Sequence, residues 1–106
     1  MQATQHTDII LRVTLFDEYK QPLYLTGMDV CFALYDGVHL VLEKTLDNGI
    51  TVTSYGEGEI EVELTSQDLS LPPGSYTAEL IVTDPDGRRY LALQEQFVLR
   101  TCLTKE

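Results

Sequence analysis

The feature that most constrains this chain is alternation. Along most of its length, apolar and polar residues trade places at every second position, the period of an extended strand with one buried face. The clearest stretch is residues 59–64, where Glu59, Glu61 and Glu63 interleave with Ile60, Val62 and Leu64. One face is a ladder of carboxylates and the other is core. Ile9, Leu11, Val13 and Leu15 form an apolar face over 9–16, with Arg12 and Thr14 opposite. Over 28–35, Val30, Phe32 and Leu34 point one way and Asp29, Cys31 and Ala33 the other. Tyr76, Ala78, Leu80 and Val82 repeat the pattern over 75–83. No segment carries an amphipathic helix of three turns.

Turn chemistry separates these segments. Asp17 to Pro22 is a polar turn, followed by a short extended piece, Leu23 to Leu25, closed by Thr26-Gly27. Asp36-Gly37 predicts a type I′ hairpin, because that turn needs positive φ. Its return strand over 38–46 would put Leu40 and Leu42 inward. Asp47-Asn48-Gly49 closes another turn before a short strand with Ile50 and Val52 inward. Tyr55-Gly56-Glu57-Gly58 and Asp84-Pro85-Asp86-Gly87 are further turns. Thr65 to Leu69 predicts one helical turn with Thr65 and Asp68 as a capping box, ended by Pro72-Pro73. The last strand runs from Arg88 to Leu99, and its alternation breaks near Gln94-Glu95-Gln96. A β-bulge there would return Phe97 and Leu99 to the core.

Seven or eight strands at spacings of about 8–12 residues predict an antiparallel, immunoglobulin-like β-sandwich with one short helical turn. With 106 residues and neither repeat nor linker, the expectation is a single domain over 1–106. That length suffices to bury a core. Its ordered part is expected at about 9–99, with a loose start containing His6 and a loose tail from Thr101 to Glu106.

Charge narrows the function. Asp and Glu number 17 against 7 Lys and Arg, a net −10. Binding to duplex DNA needs a basic stripe, and anionic membranes need basic clusters; the only adjacent basic pair is Arg88-Arg89. The first eight residues lack the basic and apolar regions of a secretory signal, and the apolar runs are too short to span a bilayer. Synthesis in the cytoplasm is the expectation, with neither nucleic acid nor membrane as partner.

Catalytic constellations are weak. Two cysteines are too few for a disulfide scaffold. Separate thiols are expected; a Cys31–Cys102 bridge, tying the tail to the sandwich, is the alternative. His6 and His39 have no neighbours at metal-ligand spacing. Ser54, Ser66, Ser70 and Ser75 lie outside any Gly-x-Ser-x-Gly elbow, and caps and turns account for them. Glu59, Glu61 and Glu63 stand about 6.5–7 Å apart along a strand, which suits acid–base work and equally a solvated face. Asp84-x-Asp86-Gly87 echoes a calcium loop, but Arg88-Arg89 follow where oxygen ligands are needed. The expectation is therefore no enzyme, no catalytic residue, no cofactor and no metal. The candidates for partner contact are Glu59, Glu61 and Glu63, whose acidity can select a partner, and Tyr55 and Tyr90. With Tyr19, Tyr24 and Tyr35, these two fall at turns or strand ends, where tyrosine adds contact area at low entropic cost.

The order of three motifs carries a resemblance. The first is Asp17 through Pro22 followed by Leu25-Thr26-Gly27-Met28-Asp29-Val30-Cys31-Phe32. The second is Thr65-Ser66-Gln67-Asp68-Leu69-Ser70-Leu71-Pro72-Pro73-Gly74-Ser75-Tyr76, with its leucine displaced by one position. The third is the turn from Thr83 through Arg89. Over residues 9–99 the chain resembles the Ig-like domain at the N-terminus of phage baseplate upper proteins and related small prophage tail proteins. The resemblance implies a virion structural role as an adaptor or connector, with no cofactor and no catalytic residues to carry over. Its partners would be other virion or tail proteins, or further copies of itself, assembled in the host cytoplasm and then carried in the virion. The alternative is a free-standing Ig-like binding module for a carbohydrate or cell-surface ligand, which predicts a concave site lined by aromatics.

Overall fold

The computed structural model describes residues 1–103. It has eight strands: β1 (Gln2–Thr4), β2 (Ile9–Thr14), β3 (Asp29–Asp36), β4 (His39–Leu46), β5 (Gly49–Ser54), β6 (Glu59–Leu64), β7 (Gly74–Thr83) and β8 (Arg89–Arg100). They form one continuous sheet in the order β1-β8-β7-β3-β4-β5-β6-β2. The sheet folds over on itself and nearly closes as a barrel. The fold-over lies between β4 and β5, which pair only through Thr45 with Gly49 and Leu46 with Ile50. Five strands thus face three across one core. Phe32, Leu34, Leu80, Val82, Phe97 and Leu99 meet Ile50, Ile60, Val62 and Leu64 there, all fully buried or nearly so. With the exception of Leu40 on β4, the alternating faces read from the sequence are the faces that pack.

The sheet is mixed, not antiparallel as expected: β1 runs parallel to β8, and β4 parallel to β5. The cause at β4–β5 is a jog instead of a reversal. Asp47 and Gly49 both take positive φ, at 62° and 104°. Thr45 and Asn48 exchange backbone hydrogen bonds of 3.2 and 3.0 Å. The chain steps from one layer to the other and continues in the same direction.

The ordered region begins before residue 9. β1 pairs with Val98 to Arg100, and Ala3 is buried in the core. Three residues are too few to display a period, so this strand leaves no pattern to read. His6 is likewise held, its N–H donating to the Leu69 carbonyl and its Nδ1 lying 3.1 Å from Ser70 Oγ. At the other end, residues 101–103 have no regular structure, but the Cys102 N–H donates to Gln5 Oε1; the rest of the expected loose tail lies outside the described residues.

No helix forms at Thr65 to Leu69. The capping box does: Thr65 N–H donates to Asp68 Oδ2 at 2.9 Å, and Asp68 N–H to Thr65 Oγ1 at 3.1 Å. It closes one turn through Leu69 N–H to the Thr65 carbonyl. Leu69 is then drawn wholly into the core and Pro72-Pro73 follows, so the turn cannot propagate.

Two bulges shift faces that simple alternation assigns otherwise. On β4, Leu42 pairs with Leu34 and Leu40 with Tyr35, which leaves Val41 as the extra residue. Leu40, expected inward, therefore points outward and is 50% exposed. The hairpin loop is Gly37-Val38 between paired Asp36 and His39, with positive φ at Gly37 alone, as a II′ turn requires, and not the expected I′. On β8 the extra residue is Ala92, between Leu91 and Leu93, not Gln94 to Gln96. It has the expected effect, since Phe97 and Leu99 are buried.

Candidate interaction surfaces

The candidate residues fall in separate places. Glu59, Glu61 and Glu63 lie on β6, the middle strand of the three-stranded layer, and point outward between β2 and β5. Glu61 stands opposite Arg12, whose Nε lies 3.0 Å from Glu61 Oε2. The middle carboxylate is therefore paired, with Glu59 and Glu63 exposed on either side. An open groove of about 670 Å³ runs past Asp8, Ile10, Arg12, Glu63 and Thr65. This is a solvated strand face with one cross-strand ion pair.

Tyr55 and Tyr90 are brought to one end of the sandwich. The loop between β2 and β3 sits there between two tight turns. Its Leu15 N–H donates to the Gly58 carbonyl at 2.8 Å, and its Leu25 N–H to the Tyr55 carbonyl at 2.9 Å. On the other side, Gly27 lies against Pro85 of the β7–β8 turn. Buried Leu15 and Leu25 anchor this loop, and Phe16 bridges to Pro22 across it. Asp17 Oδ1 accepts from the N–H groups of Tyr19 and Gln21. Phe16, Tyr19 and Tyr24 thereby join Tyr55 and Tyr90, all between 48% and 75% exposed. Glu59 starts β6 at this end, whereas Glu61 and Glu63 recede from it. Turn chemistry in the sequence puts these tyrosines at turns. It does not reveal that the connections after β2, β5 and β7 leave the sheet at the same end.

The Asp84 carboxylate is consumed by its own turn. It accepts from Asp86 N–H, Arg88 N–H and Tyr90 Oη. The backbone hydrogen bond from Arg88, helped by that from Tyr90, holds it below the usual carboxylate range. Tyr90 is oriented by the same contact. Among the described residues no group of three His, Cys, Asp or Glu side chains could hold a metal ion.

The outer face of the five-stranded layer is a surface that alternation alone misses, because it puts Leu40 inward. In register across it run Leu40, Tyr35 and Thr77; then Glu43, Ala33 and Glu79; then Cys31, Ile81 and Leu91. Burial pushes the Cys31 thiol up to about 11; the charge of Glu43 and a hydrogen bond with it add to this, and Arg89 partly offsets it. Cys31 and Cys102 are thiols and form no disulfide, the first lying in mid-sheet and the second past the far end of β8. No helix among the described residues is long and apolar enough to cross a membrane.

No family model and no curated protein matches this chain. Among solved structures, CopC from Methylosinus trichosporium OB3b superposes with a TM-score of 0.53 at 13% identity, over 99% of this chain and 89% of that one. AggA, the major subunit of aggregative adherence fimbriae type I from Escherichia coli, aligns at 17% identity over 95% of this chain and 89% of that one. Its TM-score of 0.35 is too low to carry weight. The likeness to CopC supports the all-β, sandwich-like fold and nothing finer.

Proposed function

We propose that this chain is an immunoglobulin-like, non-catalytic assembly protein of a phage or prophage particle, working through protein–protein contacts. Two features support the Ig-like assignment. The layers β2-β6-β5 and β4-β3-β7-β8 have the strand order of that sandwich. Tyr76, at the start of β7, donates its hydroxyl back to the Pro72 carbonyl at 2.5 Å, as a tyrosine corner does.

The observation that carries the functional reading is the aromatic end. Five exposed rings, four on loops and Tyr90 at the start of β8, sit beside turns fixed by Asp17, Gly58 and Asp84. Rigid aromatic rings on preorganised loops, four of them here with a hydroxyl at the tip, are the usual anchors of protein recognition. The same end would serve the alternative, a free-standing module for a carbohydrate or cell-surface ligand.

One experiment separates the two. Particles induced from the source strain and purified on a density gradient are probed with an antibody to the chain. The assembly reading expects a stoichiometric particle component. It also expects a Tyr24→Ser, Tyr55→Ser double variant, folded as judged by its melting temperature, to be excluded from the particles. A chain absent from the particles overturns it.

A further inference from the structure

On the outer face of the five-stranded layer, an open depression of about 390 Å³ lies beside the β3–β4 hairpin. Tyr35, Thr77, Glu79 and Gln94 line it together with Gly37 and Val38 of the hairpin tip. Gln94 Nε2 donates to one Glu79 oxygen at 2.7 Å, which fixes the carboxylate and leaves its second oxygen open. Val38 is 88% exposed and Leu40 50% exposed. The bulge at Val41 is what turns Leu40 to this side. Glu43 and Glu79 flank Ala33 in register, about 10 Å apart at the spacing of three strands.

We propose that this depression receives a lysine or arginine side chain from an extended basic and apolar segment of a partner protein. The cation would lie over the Tyr35 ring and against Glu79, with apolar neighbours on Val38 and Leu40. Charge selects the occupant. A second copy would bring the same carboxylates and the same net −10, and like charges across a contact oppose it. A basic segment is attracted by both. The inference rests on the assembly reading and names the chemistry of a second contact, on a different surface from the aromatic end. A domain with two such surfaces can bridge two neighbours.

The test is an amide-shift titration of the ¹⁵N-labelled full chain with an acetylated hexapeptide alternating lysine and valine. Shifts should centre on Tyr35, Glu79 and Gln94. Glu79→Gln, with its spectrum otherwise preserved, should lose about threefold in affinity, the worth of one partly exposed ion pair. Glu61→Gln, on the opposite layer, should lose nothing. Shifts centred on Glu59, Glu61 and Glu63, shifts spread evenly over the surface, equal affinity in Glu79→Gln, or equal binding of the glutamate–valine hexapeptide each overturn the proposal. The particle experiment reads a different surface: a chain found in particles but blind to this peptide sinks the depression alone.

Discussion

Lys44 Nζ lies 2.7 Å from Asp68 Oδ2, joining strand β4 to the turn that crosses from β6 to β7. Both side chains are largely out of water, at 15% and 19% exposure. The pair ties the two layers together next to the short β4–β5 pairing, one residue before fully buried Leu69 in the sequence. An exposed pair is worth little, while breaking a buried one costs several kcal/mol. Between those limits, Lys44→Ala should cost about 2 kcal/mol. Asp68→Ala should cost about 3 kcal/mol, because it also strips the cap from Thr65 N–H. In urea unfolding, the double variant should lose less than the sum of the singles. Strict additivity would show that the two side chains do not couple.

The same carboxylate makes stability sensitive to acid. Burial opposes the charged form of Asp68, but hydrogen bonds from Lys44 and Thr65 outweigh it and hold the group below its ordinary 3.8. The unfolded chain therefore takes up the proton first. The stability Asp68 confers is complete above the unfolded value and drains as pH falls through the folded one. Asp84 has the same sign. Melting temperatures followed from neutrality down to about pH 2.5 should fall less steeply below about pH 4 in Asp68→Asn than in the parent. An identical slope would mean that folding leaves this proton affinity unchanged.

Tyr76 is buried to 7% exposure, and its one polar atom reaches the Pro72 carbonyl. Burial raises its hydroxyl above the usual range, helped by the charge of Asp36, so it keeps its proton further into alkaline pH than an exposed tyrosine. Tyr76→Phe keeps the ring and abandons the carbonyl. The expected cost is about 1–1.5 kcal/mol by chemical denaturation, with no change in the sheet. A neutral result would assign Tyr76 to packing alone.

How far the sequence can be read depends on the length of each signal. Ile60, Val62 and Leu64, or Tyr76 through Val82, repeat long enough for the period to fix their faces. Thr65 and Asp68 are legible as a reciprocal cap because the spacing is local. The parallel strand β1 is not, since its partner is nearly a hundred residues away and three residues show no period. Leu40 escapes alternation for a similar reason: one extra residue at Val41 inverts the parity of all that precede it. The aromatic end has its members visible as turn residues, but their convergence belongs to strand order, which alternation does not encode.

Gly58 is one of the places where the β2–β3 loop meets the rest of the molecule. Its φ is +66°, and a Cβ there would sit 2.6 Å from the Leu15 carbonyl oxygen and 2.8 Å from that of Leu23. Both neighbours are backbone and cannot rotate away. Gly58→Ala should therefore cost about 3 kcal/mol, combining left-handed strain with displacement of the loop. Hydrogen exchange at the Leu15 and Leu23 amides should accelerate with it. Gly56, two residues earlier, meets nothing within 4 Å. Gly56→Ala should stay within about 0.5 kcal/mol of the parent. Equal effects at the two positions would remove close approach as the reason for glycine here.

Cys31 offers a test of the outer sheet face that does not depend on any partner. Its thiol is raised from 9.0 to about 11, by burial first and by Glu43 next. Only the thiolate alkylates. A thiol that holds its proton this much more tightly leaves about a hundredfold less thiolate in the folded chain at mildly alkaline pH. Iodoacetamide should accordingly label Cys31 there about a hundredfold more slowly than it does in urea-unfolded chain, read by mass after digestion. Glu43→Gln removes the charge but not the burial, so labelling should quicken only in part and the Glu43 contribution can be read directly. Full unfolded-rate labelling of the native parent would mean that Cys31 is not shielded by the rows of Glu43 and Ile81.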